Sequence, residues 1–444
     1  MSDVPFGFRS EDDDEDKPTG ESGDALAGGE SGGGGASGGA GGPAGADPFS
    51  QLFGAMGAGG AGMPDLGQML QHLGEMLSWS GGPVNWNLAN QSARQVVAAG
   101  GDRSVSSAER RDVEDAFRLA DTWLNEATEF PATGGSPRTW SRAEWVEGTQ
   151  QAWRELVDPV AARVSEAMSR ALPQEMAQAA GPLVGMMQQI GVSMWGAQVG
   201  QSIGKLAGEV LGSTDVGLPL AAGHPVLVPM NVRAFGEGLG VEDRDIYLYL
   251  GMRELAHLRV YAHAPWLRAH IVSLVEEYAR NVNVDTDRIE SSLRDIDPQR
   301  PEAIQEALEG GLFDMPNTPQ QQAALSRLEL ALALIEGWVH DVVTGGTSDR
   351  LPSAGALAET VRRRRATGGA AEQTFATLVG LDLRPRRLRE AAAFWAAIKD
   401  ARGVEGRDAV WAHPDLLPDA DDLADPERFL TRDQLDPSAF EDDS

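Results

Sequence analysis

From residue 84 onward, apolar residues recur every three or four positions, the period of helices that bury one face. Ser106 or Ser107 can cap a helix that carries Phe117, Leu119, Trp123 and Leu124. A Pro/Gly-rich loop ends it. Ser141-Arg142-Ala143-Glu144 then has the form of a capping box, followed by Trp145, Trp153, Leu156 and Val160 on one stripe. A short extended piece is expected at 224–230. Beyond it helix follows helix: 243–261, stopped by Pro265; 266–281; 301–308; and a long one opened by Thr318-Pro319-Gln320-Gln321. That long helix carries Leu325, Leu328, Leu332, Ile335, Val339 and Val342 and stops at Gly345-Gly346. Two more are expected at 357–365 and 385–402. With no run of strands and no βαβ alternation, the pattern predicts a mainly α protein.

Five glycines, Gly196, Gly200, Gly204, Gly208 and Gly212, are spaced four apart. On a helix they share one face, where a missing Cβ lets a second backbone come close. No Gly-Lys-Ser/Thr element accompanies them, so the spacing predicts tight helix packing rather than a phosphate loop. The same region, 181–212, is the nearest thing to a membrane span. Gln188, Gln189, Gln198, Gln201, Lys205 and Glu209 interrupt it. No leader of basic residues and then an apolar stretch opens the sequence. The expectation is a cytoplasmic protein without a membrane span.

Composition changes the picture mainly at the ends. The 444 residues carry 67 acids against 37 bases, a net charge of −30, and no cysteine. Disulfides, thiolate metal sites and cysteine nucleophiles are excluded, and so acidic a chain is a poor general nucleic-acid binder. Residues 1–48 and 414–444 each hold eleven acids and two bases. The first segment, rich in Gly, Ser and acid, lacks the apolar surface to offset chain entropy and is expected to be disordered. In 49–82, Asp65 can cap an amphipathic helix with Leu66, Met69, Leu70, Leu73, Met76 and Leu77, docked on the body or on a partner. The helical body is placed at 83–413 and an acidic C-terminal tail at 414–444.

Candidate chemistry centres on Arg253-Glu254-Leu255-Ala256-His257. This is a zincin helix motif, His-Glu-x-x-His, with its first His replaced by Arg. Two imidazoles one turn apart bind one zinc ion, and the intervening Glu takes a proton from the metal-bound water. Glu254 is the candidate base and His257 a candidate ligand. Arg253 has no lone pair to give. On the long helix, Glu336 and His340 lie four apart, on one face, and are candidates to complete a zinc site. The alternative is that Glu336 neutralises Arg253 in an inert buried pair. His263 sits where a metzincin places a third His, but Val260 stands where that turn needs Gly, and in a continuous helix His263 faces away from His257. Last, Arg362 to Arg365 lie in a stretch from Glu359 to Asp408 with eleven bases and seven acids. It offers an anionic ligand or RNA a surface, or simply meets the protein's own carboxylates; no interleaved aromatics suggest base stacking.

Taken together, these segments resemble an actinobacterial family of zincin-like hydrolases that carries the label zinc-dependent metalloprotease. The resemblance rests on Pro5-Phe6-Gly7-Phe8, Gly82-Pro83-Val84-Asn85-Trp86, Trp140 to Trp145, Arg253 to His257, Ala264-Pro265-Trp266-Leu267, Glu336-Gly337-Trp338-Val339, Leu378 to Leu388, and Trp411 to Pro418. It implies a helical zincin-like fold, with Glu254 as general base, His257 and Glu336 as zinc ligands and a peptide or protein as substrate. Arg253 departs from the zincin pattern, and 82 residues separate Glu254 from Glu336. Two readings follow: a zinc-dependent hydrolase with His257, Glu336 and His340 on the metal, or a non-catalytic scaffold or interaction module of the same fold in which Arg253 pairs with Glu336.

Overall fold

The computed structural model describes residues 82–171, 181–280, 318–366 and 387–432. The N-terminal tail (1–48), the amphipathic segment at 65–77, the helix expected at 301–308 and residues 433–444 lie outside them. Twelve helices and one two-stranded sheet are present among the described residues. In chain order these are α1 Trp86–Ala99, α2 Ser107–Leu124, β1 Arg138–Thr139, α3 Arg142–Ala171, α4 Gly181–Ala207, β2 Val226–Leu227, α5 Pro229–Gly236, α6 Asp243–His263, α7 Trp266–Arg280, α8 Pro319–Thr347, α9 Ala354–Ala366, α10 Leu388–Ala409, α11 Ala420–Ala424 and α12 Pro426–Arg432. The architecture is mainly α, as the hydrophobic period predicts.

Local chemistry sets the helix starts. Ser106 and Glu109 close a reciprocal capping box on α2, and Thr318 and Gln321 close another on α8. Glu144 accepts from the Ser141 amide at 2.7 Å while its own amide donates to the Ser141 hydroxyl at 3.2 Å. The piece expected to be extended at 224–230 is shorter: only Val226 and Leu227 pair, in parallel, with Arg138 and Thr139. Pro229 then opens α5, where its fixed φ and missing N–H suit a helix start.

The glycine stripe does what its spacing predicts, over part of its length. A Cβ on Gly196 would stand 2.7 Å from the Asn85 carbonyl oxygen, and one on Gly204 would stand 2.8 Å from that of Ala93. Gly200 lies against the Ala89 carbonyl between them, so α1 and α4 pack backbone to backbone. The stripe ends there. The Gly208 and Glu209 amides bond back only three residues, to Lys205 and Leu206, which tightens and closes the last turn of α4. Gly212 lies beyond the helix and faces Val226 and Glu254 instead.

Helix α6 runs through the middle of the core. Every residue from Ile246 to Tyr261 is buried. It packs against α2, α5, α8 and α9 and against β2. Trp145, Trp153, Trp338, Trp395 and Trp411 are fully buried, and Trp395 stacks on Trp411 with ring centres 5.3 Å apart. The first part of the acidic C-terminal segment also packs on the body: Leu423 and Phe429 are buried, and Phe429 meets Phe394 edge-on at 5.1 Å. Arg428 and Arg432 neutralise Asp419, Asp421 and Asp422 there, with N–O distances of 3.0 to 3.6 Å.

Candidate functional site

An α6 surrounded by protein must bury its polar positions along with its apolar ones. Arg253, Glu254, His257 and Arg259 are all under a tenth exposed. Buried charges of this kind are tolerable only when paired and hydrogen-bonded. Each of the four finds partners, and they sort into three separate centres.

The first centre is Glu336 on α8. Its Oε2 accepts from Arg253 Nη2 at 2.6 Å. Its Oε1 lies 2.7 Å from His257 Nε2 and 2.6 Å from Arg365 Nη2. His257 Nδ1 is 2.8 Å from the Arg253 carbonyl oxygen. Both ring nitrogens of His257 therefore face oxygen acceptors, and one carboxylate gathers three side chains from two helices. Burial works against an ionised Glu336, but Arg365, His257 and Arg253 hold its carboxyl well below the usual carboxylate range. His340, one turn further along α8, is half-buried and has no hydrogen-bond partner among the described residues. Burial, then Arg253 and Arg362, push its imidazole below the ordinary value.

The second centre is Glu254. It points away from Glu336, toward the chain between α4 and β2. Its Oε1 accepts from the Ser213 amide at 3.0 Å, the Ser213 hydroxyl and the Val226 amide at 3.1 Å. Its Oε2 accepts from the Thr214 amide at 3.1 Å and hydroxyl at 2.6 Å. Five donors surround one carboxylate, enough to occupy its roughly four lone-pair sites. Burial pushes this carboxyl up, and the hydrogen bonds from Ser213, Thr214 and Val226 pull against it. Gly212 is required here, because a Cβ would stand 2.6 Å from Glu254 Oε2.

The third centre is Arg259, which donates to the carbonyls of Phe130 and Asp121 and to the side chains of Asp121 and Asn125, at 2.6 to 3.1 Å. His263 continues the helix, bonds back to the Arg259 carbonyl and stacks on Phe130 at 5.0 Å, so it faces away from His257. A further buried cluster links α8 to α10: Arg407 bridges Asp341 and Asp408, and Asp408 also accepts from Trp338 Nε1 and the Thr128 hydroxyl.

Of the candidates named from sequence, the fold brings Arg253, His257 and Glu336 into direct contact. It sets His340 beside them and turns Glu254 elsewhere. Sequence reasoning missed Ser213 and Thr214, and it named Arg365 only within a run expected to meet the protein's own carboxylates, without singling out Glu336 as its partner. For Arg365 the signal was present: residues 362 and 365 share a face of α9, while Arg363 does not, so the arginine run is not one patch. Arg362 and Arg363 pair with Glu359 on their own helix, and Arg364 reaches Asp215 at 3.3 Å. Nothing local to Ser213 and Thr214 marks them, since their role depends on where a loop lies.

A zincin site would place zinc here, which calls for a neutral imidazole lone pair and free carboxylate oxygens. The residues as arranged do not fit the ion. Both nitrogens of His257 and both oxygens of Glu336 are engaged, Glu254 is saturated by neutral donors, and Arg253 cannot ligate. Among the described residues no group of three or more His, Asp or Glu side chains is placed to hold a metal.

In fold the chain is similar to a solved structure from Chloroflexus aurantiacus, a candidate hydrolase with a novel fold. The TM-score is 0.57 at 21% identity, over 80% of this chain and 99% of that one. No curated relative matches. The family model described as zincin-like metallopeptidase matches residues 84–430, which takes in every residue of the site just described. The chain belongs to the zincin-like metallopeptidase family.

Proposed function

We propose that this protein is a non-catalytic member of its family, a helical scaffold whose former metal position is held by Arg253. One observation carries the reading: the Arg253 guanidinium sits 2.6 Å from Glu336, the carboxylate that a glutamate zincin would offer its metal. A guanidinium supplies positive charge in a fixed fork. It cannot polarise a carbonyl as a Lewis acid or lower the pKa of a bound water. Glu254, in turn, does the work of a structural anchor. It ties α6 to the 213–214 loop and to β2, and no lone pair is left for a water.

The competing reading is a zinc-dependent peptidase, with Glu254 as base and His257, Glu336 and His340 as ligands. Family membership favours it. It requires Arg253 and Arg365 to leave Glu336 and the bonds to Glu254 to break. Elemental analysis of the purified full chain separates the two. The scaffold reading expects far less than one zinc per chain and no hydrolysis of a mixed peptide library. Near-stoichiometric zinc, lost in His257→Ala and in Glu336→Ala, would overturn it.

A further inference from the structure

Helices α1 and α4 run in the same direction. Asn85, which caps α1, and then Ala89 and Ala93 meet Gly196, Gly200 and Gly204 in that order. Helix α1 therefore begins at the level of Gly196, while α4 reaches back through residues 181–195, about 22 Å of helix. One face of α4 changes character at the same level. Alongside α1 it presents Gln198, Gln201 and Lys205, all exposed. One turn before Gln198 the same face presents Met194, which is 55% exposed. Among the described residues, Met194 and Leu416 are the large apolar side chains left open to water. In the sequence, Ile190, Met187 and Leu183 stand four, seven and eleven positions before Met194, the spacing of one helical stripe. No charged residue occurs from Gly181 to Gly204. An apolar stripe that starts where the neighbouring helix stops marks a contact surface.

We propose that this stripe is the docking site of the chain's own segment 65–77. The segment carries Leu66, Met69, Leu70, Leu73, Met76 and Leu77 at helical spacing behind a capping Asp65. Its 13 residues span about 20 Å as a helix, against about 18 Å from residue 183 to residue 194. The chain delivers it to the right place. Asn85 touches α4 at Gly196, beside the end of the stripe, and residues 78–84 link that contact to Leu77, a reach of about 26 Å when extended. Gly82 takes φ +128°, open chiefly to glycine, and the chain bends at 82–84, so the segment need not continue the axis of α1. So short a tether gives an effective concentration in the millimolar range, above that of a second copy in dilute solution. Methionine occurs in both stripes, and its unbranched thioether fills irregular gaps. Docking moves the edge of the folded body from residue 83 to residue 65. It does not depend on how Glu336 is neutralised, so it stands apart from the scaffold reading.

The test is hydrogen exchange, read by mass spectrometry on the full chain. An isolated helix of this length is marginal in water, so slow exchange at 65–77 requires a docked segment. Its amides are expected to exchange at least about tenfold more slowly than an open chain, equally at all protein concentrations over a roughly 50-fold range. Met194→Asp, at an exposed position, and Leu73→Asp, on the segment, are each expected to bring exchange within about twofold of the open-chain rate, with 331–343 of α8 unchanged. Gln201→Asp, on the polar part of the same face, is expected to leave the protection in place. Open-chain rates throughout 65–77 in the wild-type chain overturn the proposal. So does protection that survives Met194→Asp, which puts the segment on another surface. Protection lost equally in Gln201→Asp reports a loosened α4 and overturns it as well. Protection that rises with protein concentration assigns the stripe to a second copy instead.

Discussion

Replacing Glu336 by Gln tests the energetic logic of the whole centre. The substitution keeps shape and one acceptor oxygen, but removes the charge that Arg253, His257 and Arg365 share. Removing one member of a buried ion pair costs about 3–5 kcal/mol, most of it from leaving the partner charged and unpaired. Arg253 is 8% exposed and cannot escape. The Arg365 side chain, at 17%, can turn toward water and recover part of its solvation. The expected loss at pH 7 is therefore nearer the lower end, roughly 2–4 kcal/mol in a urea unfolding titration followed by circular dichroism. The pH dependence adds a sign. Glu336 is held well below its ordinary value of 4.5, so its contribution to stability is fully present above that value and is lost as pH falls through the folded one. The gap between wild type and Glu336→Gln should be constant from pH 6 to 8 and should narrow below pH ~4.5. A gap under about 1 kcal/mol at pH 7 would mean that the three cations do not depend on this carboxylate. A gap unchanged between neutral and acid pH would mean that folding does not hold the Glu336 carboxyl below its unfolded value. Either result refutes the reasoning.

Two further substitutions probe the neighbouring parts. Glu254→Gln places an amide N–H₂ among five donors, so at least one donor pair is opposed; we expect a loss of about 2–3 kcal/mol in urea unfolding. A free general base would instead tolerate the change, so unaltered stability would argue against the anchor role. Gly200→Ala drives a Cβ into the Ala89 carbonyl where α1 meets α4, and should cost about 1–3 kcal/mol through overpacking, read as a lower urea midpoint. Gly101→Ala, with φ at +76° but nothing within 4 Å, provides the contrast, since its cost is backbone strain without a clash.

Much of the fold is legible in the sequence because helix signals are local. Caps at Ser106, Ser141 and Thr318, the proline at position 319 and the glycine spacing from Gly196 to Gly204 each act within a turn or two, and each recurs in the structure as chemistry predicts. The candidate site was half legible. The Arg253–Glu336 pair could be framed from spacing on two helices because both had to lie on buried faces. Arg365 was obscured by its three arginine neighbours, since composition reports a run of charge and only the helical period separates its faces. The fate of Glu254 could not be read at all. Its orientation depends on where the 213–214 loop and β2 close over α6, and those contacts span 28 to 41 residues of sequence. The strand expected at 224–230 shrank for a related reason: a two-residue parallel pair is set by a tertiary contact with β1, not by local β propensity.

The geometry also suggests why an arginine can stand where a zincin has a metal ligand without loss of the fold. Glu336 and Glu254 enter the same core on facing helices, and each demands compensation. Glu254 is satisfied by neutral donors from a loop, so it needs no cation. Glu336 has no such loop and must meet positive charge from side chains. In a metallopeptidase that charge would be the ion, and stability would be linked to metal by mass action. Here Arg253 and Arg365 reach Glu336 from the chain itself, and the scaffold reading predicts a stability that does not depend on metal concentration. The two roles that a zincin motif combines, neutralising the core carboxylate and activating a water, are separable. Arg253 performs the first and is chemically unable to perform the second. Within the motif, Glu254 holds the 213–214 loop and His257 fills an acceptor of Glu336.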